Sequence, residues 1–107
     1  MVSQIQPTEL KRMLDTGVPV VLLDVRQPEE HAFCSLPGSV LIPLGELANR
    51  ASEVHAGEAI VVVYCHHGVR SLSGAAILNR AGLPNVASLA GGIDLWSQSI
   101  DPAVPRY

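Results

Sequence analysis

The sequence carries little charge and no surplus of bases. Only 16% of its 107 residues are charged, and the net charge is −3. A chain that grips nucleic acid through its phosphates shows a basic excess, so this composition argues against a nucleic-acid partner. The low charge comes with 48% hydrophobic residues, which excludes an intrinsically disordered chain. No apolar run approaches the ~18 residues that a membrane span needs. Residues 1–4, Met-Val-Ser-Gln, have neither the charged nor the apolar region of a signal peptide. The expectation is a cytoplasmic protein with no membrane partner. The length fits one domain over residues 1–107, able to bury roughly 65% of its unfolded surface without staples.

Cysteine is scarce: Cys34 and Cys65 are the two present. In a cytoplasmic chain they read as reduced thiols, one of them available for catalysis, rather than as a disulfide. With the four histidines they show no zinc-ligand spacing. No metal and no cofactor is expected.

Repeats and low-complexity segments are also missing. What remains is an alternation of short apolar runs with helix-like stretches. Thr8 is placed to cap a helix whose apolar face is Leu10, Met13 and Leu14, closed by Gly17. Val20-Val21-Leu22-Leu23 is continuous, as in a parallel strand buried on both faces. Pro28 suits a first helical position, with Glu29 and Glu30 near the positive end of the dipole. Pro37-Gly38 is a turn signal. Val40-Leu41-Ile42 reads as a strand and residues 44–54 as a helix. Ile60-Val61-Val62-Val63-Tyr64 is the strongest strand and is expected at the centre. A helix over 71–81 follows, and Gly74, Ala75 and Ala76 let it lie close to the sheet. Val86-Ala87-Ser88-Leu89 is a last strand, and Gly91-Gly92 leads into a helical turn carrying Leu95 and Trp96. The alternation predicts an α/β fold with a mostly parallel sheet and helices on both faces. In such sheets ligands bind beyond the carboxyl ends of the strands.

The segment Cys65-His66-His67-Gly68-Val69-Arg70-Ser71 falls at that edge of the central strand. Loop N–H groups there can curl into an anion-binding nest. The following helix adds its positive end, and Arg70 adds a permanent charge. All three favour thiolate over thiol at Cys65. His66 and His67 read equally as pocket groups or as solvated loop residues. Gly68 permits a positive φ in the curl. Ser71 reads as a helix cap or as a hydroxyl donor to the sulfur, with the cap preferred.

These residues carry a family resemblance. Asp24-Val25-Arg26, Glu30, Leu36-Pro37-Gly38-Ser39 and Ile42-Pro43 resemble the first signature of single-domain rhodaneses. The stretch from Cys65 to Arg70 resembles their active-site loop, and Gly91-Gly92 with Trp96 their last signature. The resemblance spans essentially the whole chain. It implies a three-layer α/β/α fold with a mostly parallel five-stranded sheet, and a sulfurtransferase. In that mechanism the Cys65 thiolate takes sulfur from a small anionic donor such as thiosulfate. It holds a persulfide stabilised by the loop from His66 through Gly68 and Val69 to Arg70, and passes the sulfur to a thiophile. The acceptor would be cyanide in the test tube and a thiol or protein in the cell. Arg70 would dock the donor, or fold back onto the protein.

Four residues separate Cys65 from Arg70; related phosphatases and arsenate reductases place one more there. A phosphoryl group needs its equatorial oxygens cradled, so the shorter loop favours sulfur. A Cys-based phosphatase, and a non-catalytic partner-binding module on the same scaffold, are the alternatives. Cys34-Ser35 stands where the family has Gly-His; Cys34 reads as a small buried hydrophobe rather than a resolving thiol. Asp24, Arg26 and Glu30 read as structural support, with Arg26 paired to Glu30 or Glu29, and Trp96 as a core anchor. Residues 100–107 are proline-rich and expected to be extended. They resemble tails of rhodanese domains fused behind adenylating enzymes, which implies a sulfur-carrier protein as acceptor.

Overall fold

In the computed structural model, which describes residues 2–107, the apolar runs become strands. These are β1 (Ser3–Ile5), β2 (Val20–Asp24), β3 (Val40–Leu41), β4 (Ile60–Tyr64) and β5 (Val86–Leu89). Among the described residues they form one sheet in the order β1-β5-β4-β2-β3. Every pairing is parallel, so the mixed component allowed by the sequence is missing. β4 lies between β5 and β2, in register Val20↔Ile60 through Asp24↔Tyr64. Both neighbours of β4 are strands and both its faces are covered, which is why its valines need no polar alternation.

Side chains alternate across the sheet and divide the core in two. Leu22, Val62, Tyr64, Ala87 and Leu89 pack with Leu10 of α1 (Pro7–Asp15) and with Ile93 and Trp96 of α5 (Gly92–Ser99). Leu23, Val61, Val63 and Val86 face the other way. They pack with Leu47 of α3 (Leu44–Arg50) and with Ala75 and Leu78 of α4 (Arg70–Arg80). The result is the three-layer α/β/α arrangement, with a short α2 (Pro28–Phe33) that contributes no buried residue. Gly74 makes α4 fit: a Cβ there would sit 3.1 Å from Val63 Cγ1 and 3.3 Å from Val25 Cγ1.

Local departures from the sequence expectations have simple causes. Thr8 is not a cap. Pro7 takes the first helical position, so α1 starts at Pro7 with Gln6 before it. Leu14 is exposed rather than on the buried face. The helix expected over 44–54 ends at Arg50 and tightens into a 3-10 turn, Ala51–Glu53. β1 is a three-residue edge strand, too short to show a pattern, yet it extends the sheet through Ser3↔Ala87 and Ile5↔Leu89. Residues 100–107 are not a simple extension. Val104 N–H donates to Asp101 O, Ser97 Oγ donates to Val104 O at 2.6 Å, and Val104 is buried. Among the described residues no helix is long and apolar enough to cross a membrane.

Candidate active site

Cys65 directly follows β4, where the chain leaves the carboxyl edge of the sheet. Its residue is 1% exposed. Sγ accepts the Gly68 N–H at 3.1 Å and the Ser71 N–H at 3.3 Å. It also donates to Ser71 Oγ at 3.5 Å, and that hydroxyl shares a 2.7 Å hydrogen bond with Ser88 Oγ on β5. Ser71 is therefore not the helix cap. The helix has already begun at Arg70, so the Ser71 side chain turns inward to the sulfur. Gly68 adopts φ +95°, and a Cβ there would lie 3.0 Å from the Gly91 nitrogen. The loop curls around one sulfur atom with its donors pointing inward, as a nest for negative charge does.

The start of α5 buttresses this curl from behind. Ile93 N–H donates to Cys65 O at 2.9 Å and Asp94 N–H to His66 O at 3.1 Å. A side chain at Gly92 would collide with those same two carbonyl oxygens, and Gly92 has φ +62°. The doubled glycine was visible in the sequence; its role in admitting the loop backbone was not.

Arg70 is paired with a carboxylate of the protein itself. Nη1 and Nη2 donate to Glu30 Oε1 at 2.8 Å and Oε2 at 3.0 Å. The Arg70 guanidinium holds the Glu30 carboxyl down at about 2, against a partial opposing effect of burial. The expected pairing of Arg26 with Glu30 or Glu29 is thus corrected. Arg26 has no exposed surface and binds Asp24 side-on instead, Nε to Oδ1 at 2.8 Å and Nη2 to Oδ2 at 2.7 Å. Arg26 Nη2 also donates to Cys34 O at 2.6 Å and Nη1 to the Tyr107 hydroxyl at 2.8 Å. Burial alone would lower the Arg26 pKa; the Asp24 carboxylate and the Tyr107 hydroxyl more than offset it. His31 Nδ1 completes Asp24 at 2.8 Å. Asp24 and Arg26 are therefore a buried brace at the end of β2, and Trp96 is a core residue. Cys34 is buried on the α1/α5 side of the sheet and Cys65 on the α3/α4 side, both as free thiols.

His66 stacks between His67 and Tyr107, at 3.8 Å from each ring. Burial first, then the neighbouring His67, pushes the His66 imidazole down. Its Nε2 is buried without a hydrogen-bond partner among the described residues. His66, His67 and Asp94 bring three potential ligand atoms within 4.8 Å of one another. Asp94 is already held by Arg106 at 2.9 Å and Gln98 at 2.8 Å. The two imidazole planes lie 29° apart and stacked. Cavities of about 470 and 330 Å³ open elsewhere, at the amino ends of the strands. The first is lined by Val20, Val40 and His55 and the second by Ala59, Val61 and Asn85. Neither is lined by Cys65.

A family model described as the Rhodanese-like domain matches residues 6–99. The chain is 34% identical to the probable adenylyltransferase/sulfurtransferase MoeZ of Mycobacterium tuberculosis, over 98% of its own length and 27% of that protein. It therefore spans about a quarter of MoeZ. It is also 34% identical to a sulfurtransferase of Allochromatium vinosum, covering 97% of this chain and 96% of the relative. Among solved structures it is similar to a rhodanese-related protein from Thermoplasma volcanium. That likeness has a TM-score of 0.83 at 30% identity and covers 98% and 99% of the two chains.

Proposed function

The chain belongs to the rhodanese-like domain family, and we propose that it is a sulfurtransferase whose Cys65 carries sulfur as a persulfide. The observation that supports this most is the sulfur's surroundings: two backbone N–H groups and the Ser71 hydroxyl converge on Sγ. The Cys65 thiolate attacks the outer sulfur of a donor such as thiosulfate. A new S–S bond forms, the donor's S–S bond breaks, and sulfite leaves with the electron pair. The terminal sulfur of Cys65–S–S⁻ is then the charged atom, and the loop from His66 to Arg70 supplies N–H donors toward it. On deprotonation of the thiol, the Ser71 hydroxyl is free to donate to sulfur while accepting from Ser88. A thiophile then attacks the terminal sulfur and restores the thiolate. This is two-step covalent catalysis with ping-pong kinetics.

The four-residue spacing from Cys65 to Arg70 supports sulfur over phosphoryl transfer, because a phosphoryl group calls for a wider ring of donors. A protein acceptor fits the loop's rim, where Val69 is 74% and Phe33 56% exposed. The adenylyltransferase/sulfurtransferase relative supports an activated sulfur-carrier protein in that place. A reducing, cytoplasmic setting keeps both thiols free, as the reaction requires.

Intact-protein mass spectrometry after incubation with thiosulfate tests the reading on wild type and Cys65→Ala. One added sulfur on the wild type alone, removed by cyanide, is expected. No added sulfur on either protein would overturn it.

A further inference from the structure

Tyr107 takes no part in the proposed chemistry, yet it is the most thoroughly tethered exposed side chain near the loop. Its ring lies 3.8 Å from the His66 ring and only 5° from parallel. It also meets Phe33 edge-on at 5.7 Å. Its hydroxyl donates to Glu30 Oε2 at 2.7 Å and accepts from Arg26 Nη1 at 2.8 Å. Arg26 is itself buried and braced, so the hydroxyl is anchored to a fixed point. One side chain therefore touches the residue that follows Cys65 and, through Glu30, the guanidinium at the far end of the loop. Tyr107 is 44% exposed while Cys65 is 1% exposed, so a partly solvent-facing ring covers one face of the loop's first residue, His66.

Arg70 is the positive charge best placed to draw an anionic donor, and Glu30 already takes both of its terminal nitrogens. A free dianion approaching the sulfur meets a neutralised arginine with a carboxylate beside it. It also meets a ring packed over the loop's first residue.

We propose that Glu30 and Tyr107 form a latch over the Cys65 loop, a specificity-determining pair that withholds Arg70 from small free anions and makes the sulfur donor displace the Tyr107 ring. Its donor is taken from the sulfurtransferase reading; the closure itself does not depend on that reading. The consequence is selectivity. Donors that bring enough contact surface to dislodge Tyr107 are favoured over free thiosulfate.

The test separates access from chemistry. Cys65 is alkylated with iodoacetamide, a small neutral probe, and the adduct is assigned by peptide mass spectrometry. Rates are compared on the high-pH plateau, where ionisation of the thiol no longer limits them. If the latched form dominates at about ten to one, Tyr107→Ala alkylates about ten-fold faster. Glu30→Gln frees the Arg70 charge and is expected to lower the thiosulfate KM about five-fold while kcat changes little. Circular dichroism of each variant establishes that it is folded. Should Tyr107→Ala fail to fold, Tyr107→Phe keeps the stacked ring, loses both hydroxyl bonds and is expected to alkylate faster than wild type. An unchanged alkylation rate in the folded Tyr107 variant, or an unchanged thiosulfate KM in Glu30→Gln, overturns the latch. Faster alkylation without any persulfide would sustain the latch and sink the sulfurtransferase reading. Persulfide formation with unchanged alkylation would do the reverse.

Discussion

At the scale of single residues, a buried charge is worth most attention when its partner is local. Asp24 and Arg26 have no exposed surface, and the pair is bidentate. Removing one member strands the other in a low-dielectric interior. Asp24→Ala is therefore expected to lower the unfolding free energy by about 3–5 kcal/mol, read by urea denaturation. A second expectation concerns the sulfur. Ser71→Ala removes the hydroxyl but keeps the backbone N–H. A hydrogen bond to a charged group contributes about 1.5–3 kcal/mol, so sulfur loading should slow by about ten- to hundred-fold. A rapid-quench measurement of persulfide formation reads it. Cys65, Gly68 and Arg70 were legible as a unit in the sequence because one short loop carries them. The Ser71 hydroxyl was legible only as the second of two readings, behind the cap, because its role depends on where the helix starts, and one residue decides whether a side chain caps or points inward. The Glu30–Arg70 pair was not legible: its partners lie 40 residues apart.

Elements show the same division. β2, β4 and β5 were readable as continuous apolar runs, and α4 from its small residues. β1 was not, because three residues cannot display a period. Two glycines test how far element geometry controls the site. Gly45 lies inside α3, has no positive φ, and a methyl group added to it would meet nothing within 4 Å. Gly45→Ala should raise stability by about 0.5–1 kcal/mol, because alanine costs the helix less backbone entropy. Gly92 is the opposite case. It opens α5 at φ +62°, against the Cys65 and His66 carbonyls. Gly92→Ala must push α5 away from the loop, break the Ile93–Cys65 and Asp94–His66 bonds, and add strain of about 1–3 kcal/mol. Thermal unfolding should rank the two variants on either side of wild type, and persulfide yield should fall only in Gly92→Ala.

Across the whole molecule, the carboxyl end of the sheet is tied together by one chain of contacts. Asp24 at the end of β2 holds Arg26, Arg26 donates to the Tyr107 hydroxyl, that hydroxyl donates to Glu30 of α2, and Glu30 holds Arg70 at the head of α4. Tyr107 stands 77 and 81 residues from Glu30 and Arg26. No local pattern in the sequence reports such a contact, which is why residues 100–107 read as an extended tail with no tie to the loop. The chain of contacts should have a pH signature at both ends. Glu30 titrates at about 2 in the fold against an ordinary 4.5, held down chiefly by Arg70. A depressed carboxyl pKa contributes stability that is fully present above the ordinary value and lost as pH falls toward the folded one. Tyr107 is pushed up to about 12 from 10, by burial first and then by its bond to the Glu30 carboxylate. A raised phenol pKa contributes stability that is present below the ordinary value and lost as pH rises toward the folded one. The extra thermal stability of wild type over Glu30→Gln should shrink as pH falls from 4.5 to about 2. Its margin over Tyr107→Phe should shrink as pH rises from 10 to about 12. Between these limits both margins should be flat. A margin that drifts through neutral pH would mean that a histidine against this chain of contacts, His31 on Asp24 or His66 on the Tyr107 ring, governs the closure instead.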